Sequence, residues 1–164
     1  MKVFLGLFLK PKKVIEMKRL IPKQKVPFFS NDIAYLLTKN QIWISEIEFI
    51  KIEQEFLKEL LADHIIGLCD TNNFAKAKLL LNGINHEAIL GQALIKSIKE
   101  HKINLALLIE NIYLKREKIF RENHEYLKRE VVNYRENFKY IKEQVFELIL
   151  LIMKKEKQQK LLAK

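Results

Sequence analysis

The chain has 164 residues, 49% of them hydrophobic, and a net charge of +10 at pH 7. This length predicts one domain that can bury its own core, and the single cysteine excludes a fold held together by internal disulfide bonds. Because the sequence has no run of 18 or more apolar residues, we expect no membrane-spanning helix.

Residues 1–29 are predicted to form a basic N-terminal arm. They hold eight basic side chains and one acidic one, a net of +7, whereas residues 30–164 hold a net of +3. The three prolines of the chain all lie here and favour an extended, exposed connector, whereas the apolar run at residues 3–9 predicts a short strand or a segment docked on the body. The candidate contacts of the arm with an anionic partner are Lys10, Lys12, Lys13, Lys18, Arg19, Lys23 and Lys25.

A helical domain is predicted over residues 30–164, which contain no proline. The polar residues at its start can cap a short helix over residues 33–39. A second helix is expected to begin at the capping box formed by Ser45 and Glu48, whose side chains can each satisfy a free backbone amide. That helix should continue to about Leu61, because apolar residues recur there at helical spacing.

Further breaks are expected in the middle of the chain. The polar residues Asp70–Asn73 should end one helix and cap the next. This next helix should run through Leu81 and end at Gly83, because glycine readily adopts the left-handed conformation of a helix cap. Another helix fits Glu87–His101, with a short break near Lys102 before its successor begins.

The strongest signal is an unbroken heptad repeat near the C-terminus. Its apolar positions alternate in spacing between four and three residues, which places them on one stripe of a helix. This stripe, here called the seam, comprises Leu127, Val131, Tyr134, Phe138, Ile141, Val145, Leu148 and Ile152. We predict a long helix over about residues 115–155, with residues 154–164 fraying into solvent. The seam must be buried against other helices of this chain or, as in a coiled coil, of a second copy, so homo-oligomerisation through the C-terminal helix is an open alternative.

Two stretches in the middle of the chain resemble each other at an offset of 29 residues. The second stretch, residues 91–98 followed by 103–110, resembles an ankyrin repeat, although the Thr-Pro-Leu-His tetrapeptide of that family is absent. Over residues 62–112 this resemblance implies paired helices and a protein-binding surface. The predicted fold is therefore all-α, with five or six helices arranged as a helical bundle or as stacked helical pairs.

The sequence shows no constellation of residues that would carry catalysis. The four histidines are not at metal-ligand spacing from one another or from the cysteine, and the four glycines are isolated, so no phosphate-binding loop is visible. The carboxylates of residues 46–59 are interspersed with lysines, as on a solvated helix face. We therefore predict neither an enzyme nor a bound cofactor or metal.

The leading functional hypothesis is a non-enzymatic protein–protein interaction module, such as an adaptor, a chaperone-like subunit or an assembly subunit. The alternative is a nucleic-acid or ribonucleoprotein component that uses the basic N-terminal arm. We expect an intracellular, reducing location such as the cytoplasm, with a secreted effector left open. The 25 lysines against five arginines suggest an AT-rich source genome.

Overall fold

The computed structural model describes residues 30–109 and 117–163. These residues form four helices and no strand: α1 Ser30–Asp63, α2 Ile65–Asp70, α3 Phe74–Ile109 and α4 Glu117–Leu162. The prediction of an all-α helical bundle is confirmed. The predicted N-terminal arm, with its apolar run at residues 3–9, lies outside the described residues.

The three long helices pack side by side in an up-down-up arrangement. His101 and His124 are in contact near one end of α3, and Gly83 faces Ile141 nearer its other end, so α3 and α4 are antiparallel. Glu46 pairs with Arg135, and Glu53, seven residues later, pairs with Lys142, so α1 runs parallel to α4. The helix α3 contacts both neighbours extensively, whereas α1 and α4 meet over a smaller surface.

The seam of α4 is core, as predicted. Seven of its eight side chains are buried and Ile141 is half-buried, and all of them belong to or pack against the main hydrophobic cluster, together with residues of α1, α2 and α3. The seam is thus buried within one chain and is not open to a second copy. A smaller apolar cluster at the other end of the bundle comprises Ile33, Leu105, Leu108 and Phe120.

The structure corrects three predicted breaks, because the helices are fewer and longer than expected. Ser45 is an exposed residue in the middle of α1, so the predicted capping box does not start a helix. Gly83 and Lys102 both lie inside α3, and Lys102 donates a hydrogen bond to Oε1 of Gln41 at 2.8 Å. Tertiary packing along 36 residues outweighs the cost of roughly 1 kcal/mol that one glycine imposes on a helix. Paired helices of the ankyrin type would need a turn near Lys102, and α3 has none there.

The break predicted at Asp70–Asn73 is present and forms the turn between α2 and α3. Asn72 adopts a left-handed conformation with φ of 57°, which asparagine tolerates better than most residues. The hydroxyl of Thr71 donates to the carbonyl oxygen of Gly67 at 2.7 Å, and the side-chain amide Nδ2 of Asn73 donates to the Thr71 hydroxyl at 2.9 Å. These bonds fix the direction in which α3 leaves α2.

The helix α4 continues to Leu162, so the predicted fraying from residue 154 is wrong. Residues 157–163 are exposed, and this segment is rich in lysine, glutamine and leucine, which favour helix without tertiary support. Within the described ranges, no helix combines the length and hydrophobicity that a bilayer crossing requires.

Candidate protein-interaction site

The basic residues proposed from the sequence as contacts for an anionic partner all lie outside the described part of the chain. They are Lys10, Lys12, Lys13, Lys18, Arg19, Lys23 and Lys25.

An apolar groove lies where the end of α1, the short helix α2 and the start of α3 meet. We call it the corner groove; it has a volume of about 440 Å³. Its floor is formed by the buried residues Leu61, Leu68 and Ala77, whereas Ile65 and Phe74 on its walls are 43% and 48% exposed. A groove of this size accommodates the apolar side chains of a ligand or a partner.

Local sequence explains why the groove forms at this corner. The short helix α2 allows the chain to reverse direction, and Gly67 allows α2 to pack closely on α4, since a side chain at this position would overlap Ile152 and Glu156. The hydrogen-bonded turn at Thr71 then holds Phe74 at the first position of α3, facing the end of α1. These contacts hold the walls of the groove in place relative to one another.

The rim of the groove carries two lysines. Lys58 on α1 and Lys78 on α3 line it, with the Lys58 ammonium 2.9 Å from the carboxylate of Glu55. Their aliphatic stems extend the apolar surface, while their charged ends reach water. The groove thus presents an apolar interior, with Lys78 and the ion pair of Lys58 and Glu55 at its edge.

A second apolar surface runs along α1 on the side away from the core. It is called here the outer stripe and comprises Tyr35, Ile42, Phe49, Ile52 and Phe56. Each of these side chains is between 44% and 67% exposed. All five follow a buried residue by two positions, which is about 200° around the helix. The helix α1 is therefore apolar on two opposite faces, a pattern typical of a helix with partners on both sides.

Two histidines meet inside the bundle between the apolar clusters. Nε2 of His101 lies 3.2 Å from Nδ1 of His124, and the His124 ring is 4.9 Å from the ring of Trp43. Burial and the neighbouring His124 lower the pKa of His101 to about 4, and burial also lowers the pKa of His124. Both rings are therefore neutral at pH 7, and one donates its ring N–H to the other.

Asn40 precedes Trp43 by one helical turn and is fully buried. Among the described residues its side-chain amide nitrogen and oxygen have no hydrogen-bond partner. Together with the two histidines it forms one of two polar layers in the interior of the bundle. Layers of this kind fix the register of packed helices at a cost in stability.

A second polar layer lies further along the bundle. The side-chain amide of Gln54 donates to the Tyr134 hydroxyl at 3.1 Å, and Gly91 leaves the space that this hydroxyl occupies. Burial raises the pKa of Tyr134, and it also raises the pKa of the nearby Glu87 carboxyl. The two layers align α1, α3 and α4 at separate points along their length.

Sequence reasoning missed the contact between His101 and His124. They are 23 positions apart, and only the register of α3 against α4 brings them together. A signal was nevertheless present, because His101 continues the helical spacing of Leu94, Ile98 and Leu105, so it had to face inward. The described residues contain no cluster of three or more His, Cys, Asp or Glu side chains that could hold a metal ion.

Comparisons of the chain with models of protein families, with curated proteins and with solved structures gave no match.

Proposed function

We propose that this protein is a non-enzymatic protein–protein interaction module that binds an apolar segment of a partner in the corner groove. The observation that carries the proposal is the groove itself, in which a buried apolar floor lies between the exposed side chains Ile65 and Phe74. Apolar side chains that enter such a pocket provide most of the binding energy at many interfaces.

The setting of the groove supports this proposal. Its walls are held by the short helix α2 and by the hydrogen-bonded turn at Thr71, so a partner would meet a surface that is already formed. Preformed surfaces bind more tightly because less conformational entropy is lost on association. Glu55 offsets the charge of Lys58, and Lys78 at the rim favours a partner segment with an acidic side chain next to its apolar anchors.

The test is affinity capture from native cells with full-length protein as bait, comparing the wild type with Phe74→Asp. The substitution places a charge on the groove wall, and the first turn of α3 tolerates an acidic residue because of the helix dipole. We expect the amount of the specific partner to fall at least tenfold. Leu79→Asp is the matched control, since Leu79 is an exposed apolar residue of α3 that does not line the groove. Equal recovery of the same partners with all three baits would refute the proposal.

The charge distribution favours a second candidate function, binding of nucleic acid through residues 1–29. Their net charge of +7 would release counterions from a phosphate backbone. The test is fluorescence anisotropy with single-stranded RNA between about 50 and 200 mM salt, where seven phosphate contacts would weaken binding by roughly a thousandfold. Glutamine substitutions at Lys10, Lys12 and Lys13 should flatten this dependence, and binding that is insensitive to both salt and these substitutions would rule the candidate out.

A further inference from the structure

The outer stripe of α1 has the geometry of a helix interface. Tyr35, Ile42, Phe49 and Phe56 are each seven residues apart, and Ile52 lies between the last two. This spacing produces a nearly straight ridge of roughly 32 Å at 1.5 Å per residue. The ridge lies opposite the face of α1 that packs on α3 and α4, so none of the described helices packs on it.

The stripe is complementary to itself when two copies of α1 run antiparallel. In that orientation Tyr35 lies opposite Phe56 of the other copy, and Ile42 lies opposite Phe49. The centre of the arrangement falls between Ser45 and Glu46, where the small side chain of Ser45 allows the two helices to approach closely. A two-fold symmetric interface requires this kind of self-complementary patch.

Charge supports the same orientation. Residues 46–63 of α1 carry six acidic and two basic side chains, a net of −4, and still a net of −2 when the partners of Glu46 and Glu53 on α4, Arg135 and Lys142, are counted, whereas residues 1–29 carry a net of +7 and directly precede α1. In an antiparallel pair, the start of one α1 lies beside the acidic half of the other. In a parallel pair, the two acidic halves would lie together and repel each other.

We propose that two copies of this chain associate through the outer stripe, with their α1 helices antiparallel. This inference is independent of the corner groove, because its central contacts at Ile42, Ser45 and Phe49 do not line that groove. The seam of α4 does not compete for this role, because it is buried within its own chain.

Sedimentation velocity over about 1–200 µM full-length protein tests the association, since small interfaces give weak dimers. We expect a monomer–dimer equilibrium whose dissociation constant rises at least tenfold in Phe49→Glu. The control is Leu79→Glu, which places the same charge on an exposed apolar residue of α3, and it should leave the constant unchanged. A wild-type protein that stays monomeric throughout this range overturns the proposal, and so does equal dimerisation of both variants.

Disulfide trapping tests the orientation. In a Cys69→Ser background, which removes the exposed native thiol, single cysteines are introduced as Ser45→Cys or Thr38→Cys. Both positions lie on the same side of α1, one heptad apart. An antiparallel pair brings residue 45 close to its copy but separates the two copies of residue 38 by roughly 20 Å. We expect a linked dimer from Ser45→Cys alone, and equally fast linking of Thr38→Cys contradicts the antiparallel arrangement.

Discussion

His101 of α3 and His124 of α4 lie in contact inside the bundle, with Nε2 of the first 3.2 Å from Nδ1 of the second. The contact forms next to Trp43 of α1, so all three long helices meet at this level. It joins two helices by a hydrogen bond between neutral rings, which links the packing of the bundle to pH.

We predict that the protein loses stability as the pH falls from 6.5 towards 4. The pKa of His101 is lowered to about 4 in the folded state, so the unfolded chain takes up the proton first and gains stability relative to the fold. The loss attributable to this group is at most roughly 3 kcal/mol. Burial also lowers the pKa of His124; the nearby Glu125 raises this pKa, whereas Lys128 lowers it further.

Urea denaturation at a series of pH values measures this dependence. His101→Gln should have a smaller loss of unfolding free energy between pH 6.5 and 4 than the wild type. Asn104→Gln, at an exposed position of α3, serves as the control, because it removes no titratable group and should leave the pH dependence of the unfolding free energy unchanged. If the unfolding free energy of His101→Gln falls with pH as steeply as that of the wild type, this histidine does not cause the pH dependence.

Asn40→Leu is predicted to stabilise the protein by about 1–3 kcal/mol, the cost of burying an unsatisfied polar group. The side chain of Asn40 is fully buried, and its amide atoms have no hydrogen-bond partner among the described residues. Chemical denaturation at pH 7 gives the change in unfolding free energy. A destabilised variant would mean that the amide is hydrogen-bonded in solution.

The seam of α4 should show the energetics of a packed core. Phe138 is 2% exposed, so Phe138→Ala should cost about 3–5 kcal/mol. The neighbouring Lys139 is exposed, and Lys139→Ala should cost under about 0.5 kcal/mol. Unfolding midpoints of the two variants that lie close together would contradict the assignment of the seam to the core.

Two glycines of α3 should respond oppositely to the same substitution. At Gly91 a methyl group would overlap the Tyr134 hydroxyl, so Gly91→Ala should destabilise the protein by about 1–3 kcal/mol. At Gly83 the methyl group would lie 3.4 Å from the end of the half-buried Ile141 side chain, which can adjust. Gly83→Ala should therefore stabilise the helix by about 0.5–1 kcal/mol, and a thermal melt that shifts downward for both variants would argue against this packing.

Local sequence rules predicted the elements whose signals are themselves local. The seam and the break at Asp70–Asn73 were visible because helical spacing and cap chemistry are read from neighbouring residues. The same rules failed at Ser45 and Gly83, where polar or flexible residues indicated helix ends that long-range packing overrides.

The candidate surfaces depend on which helix faces point inward, and spacing alone did not separate the two apolar faces of α1. Phe56 follows the same helical pattern as Leu57, yet Phe56 is 55% exposed and Leu57 is buried. The corner groove requires α1, α2 and α3 to be in place before its walls exist, so no segment of the sequence reveals it.

The central claim is that a partner binds in the corner groove, and hydrogen–deuterium exchange of the captured complex tests it most directly. Full-length protein is compared with and without the partner recovered by the wild-type bait. We predict that exchange slows in peptides covering residues 61–81, which contain the end of α1, the helix α2 and the first two turns of α3. Slower exchange confined to other parts of the chain, with residues 61–81 unchanged, would contradict the claim.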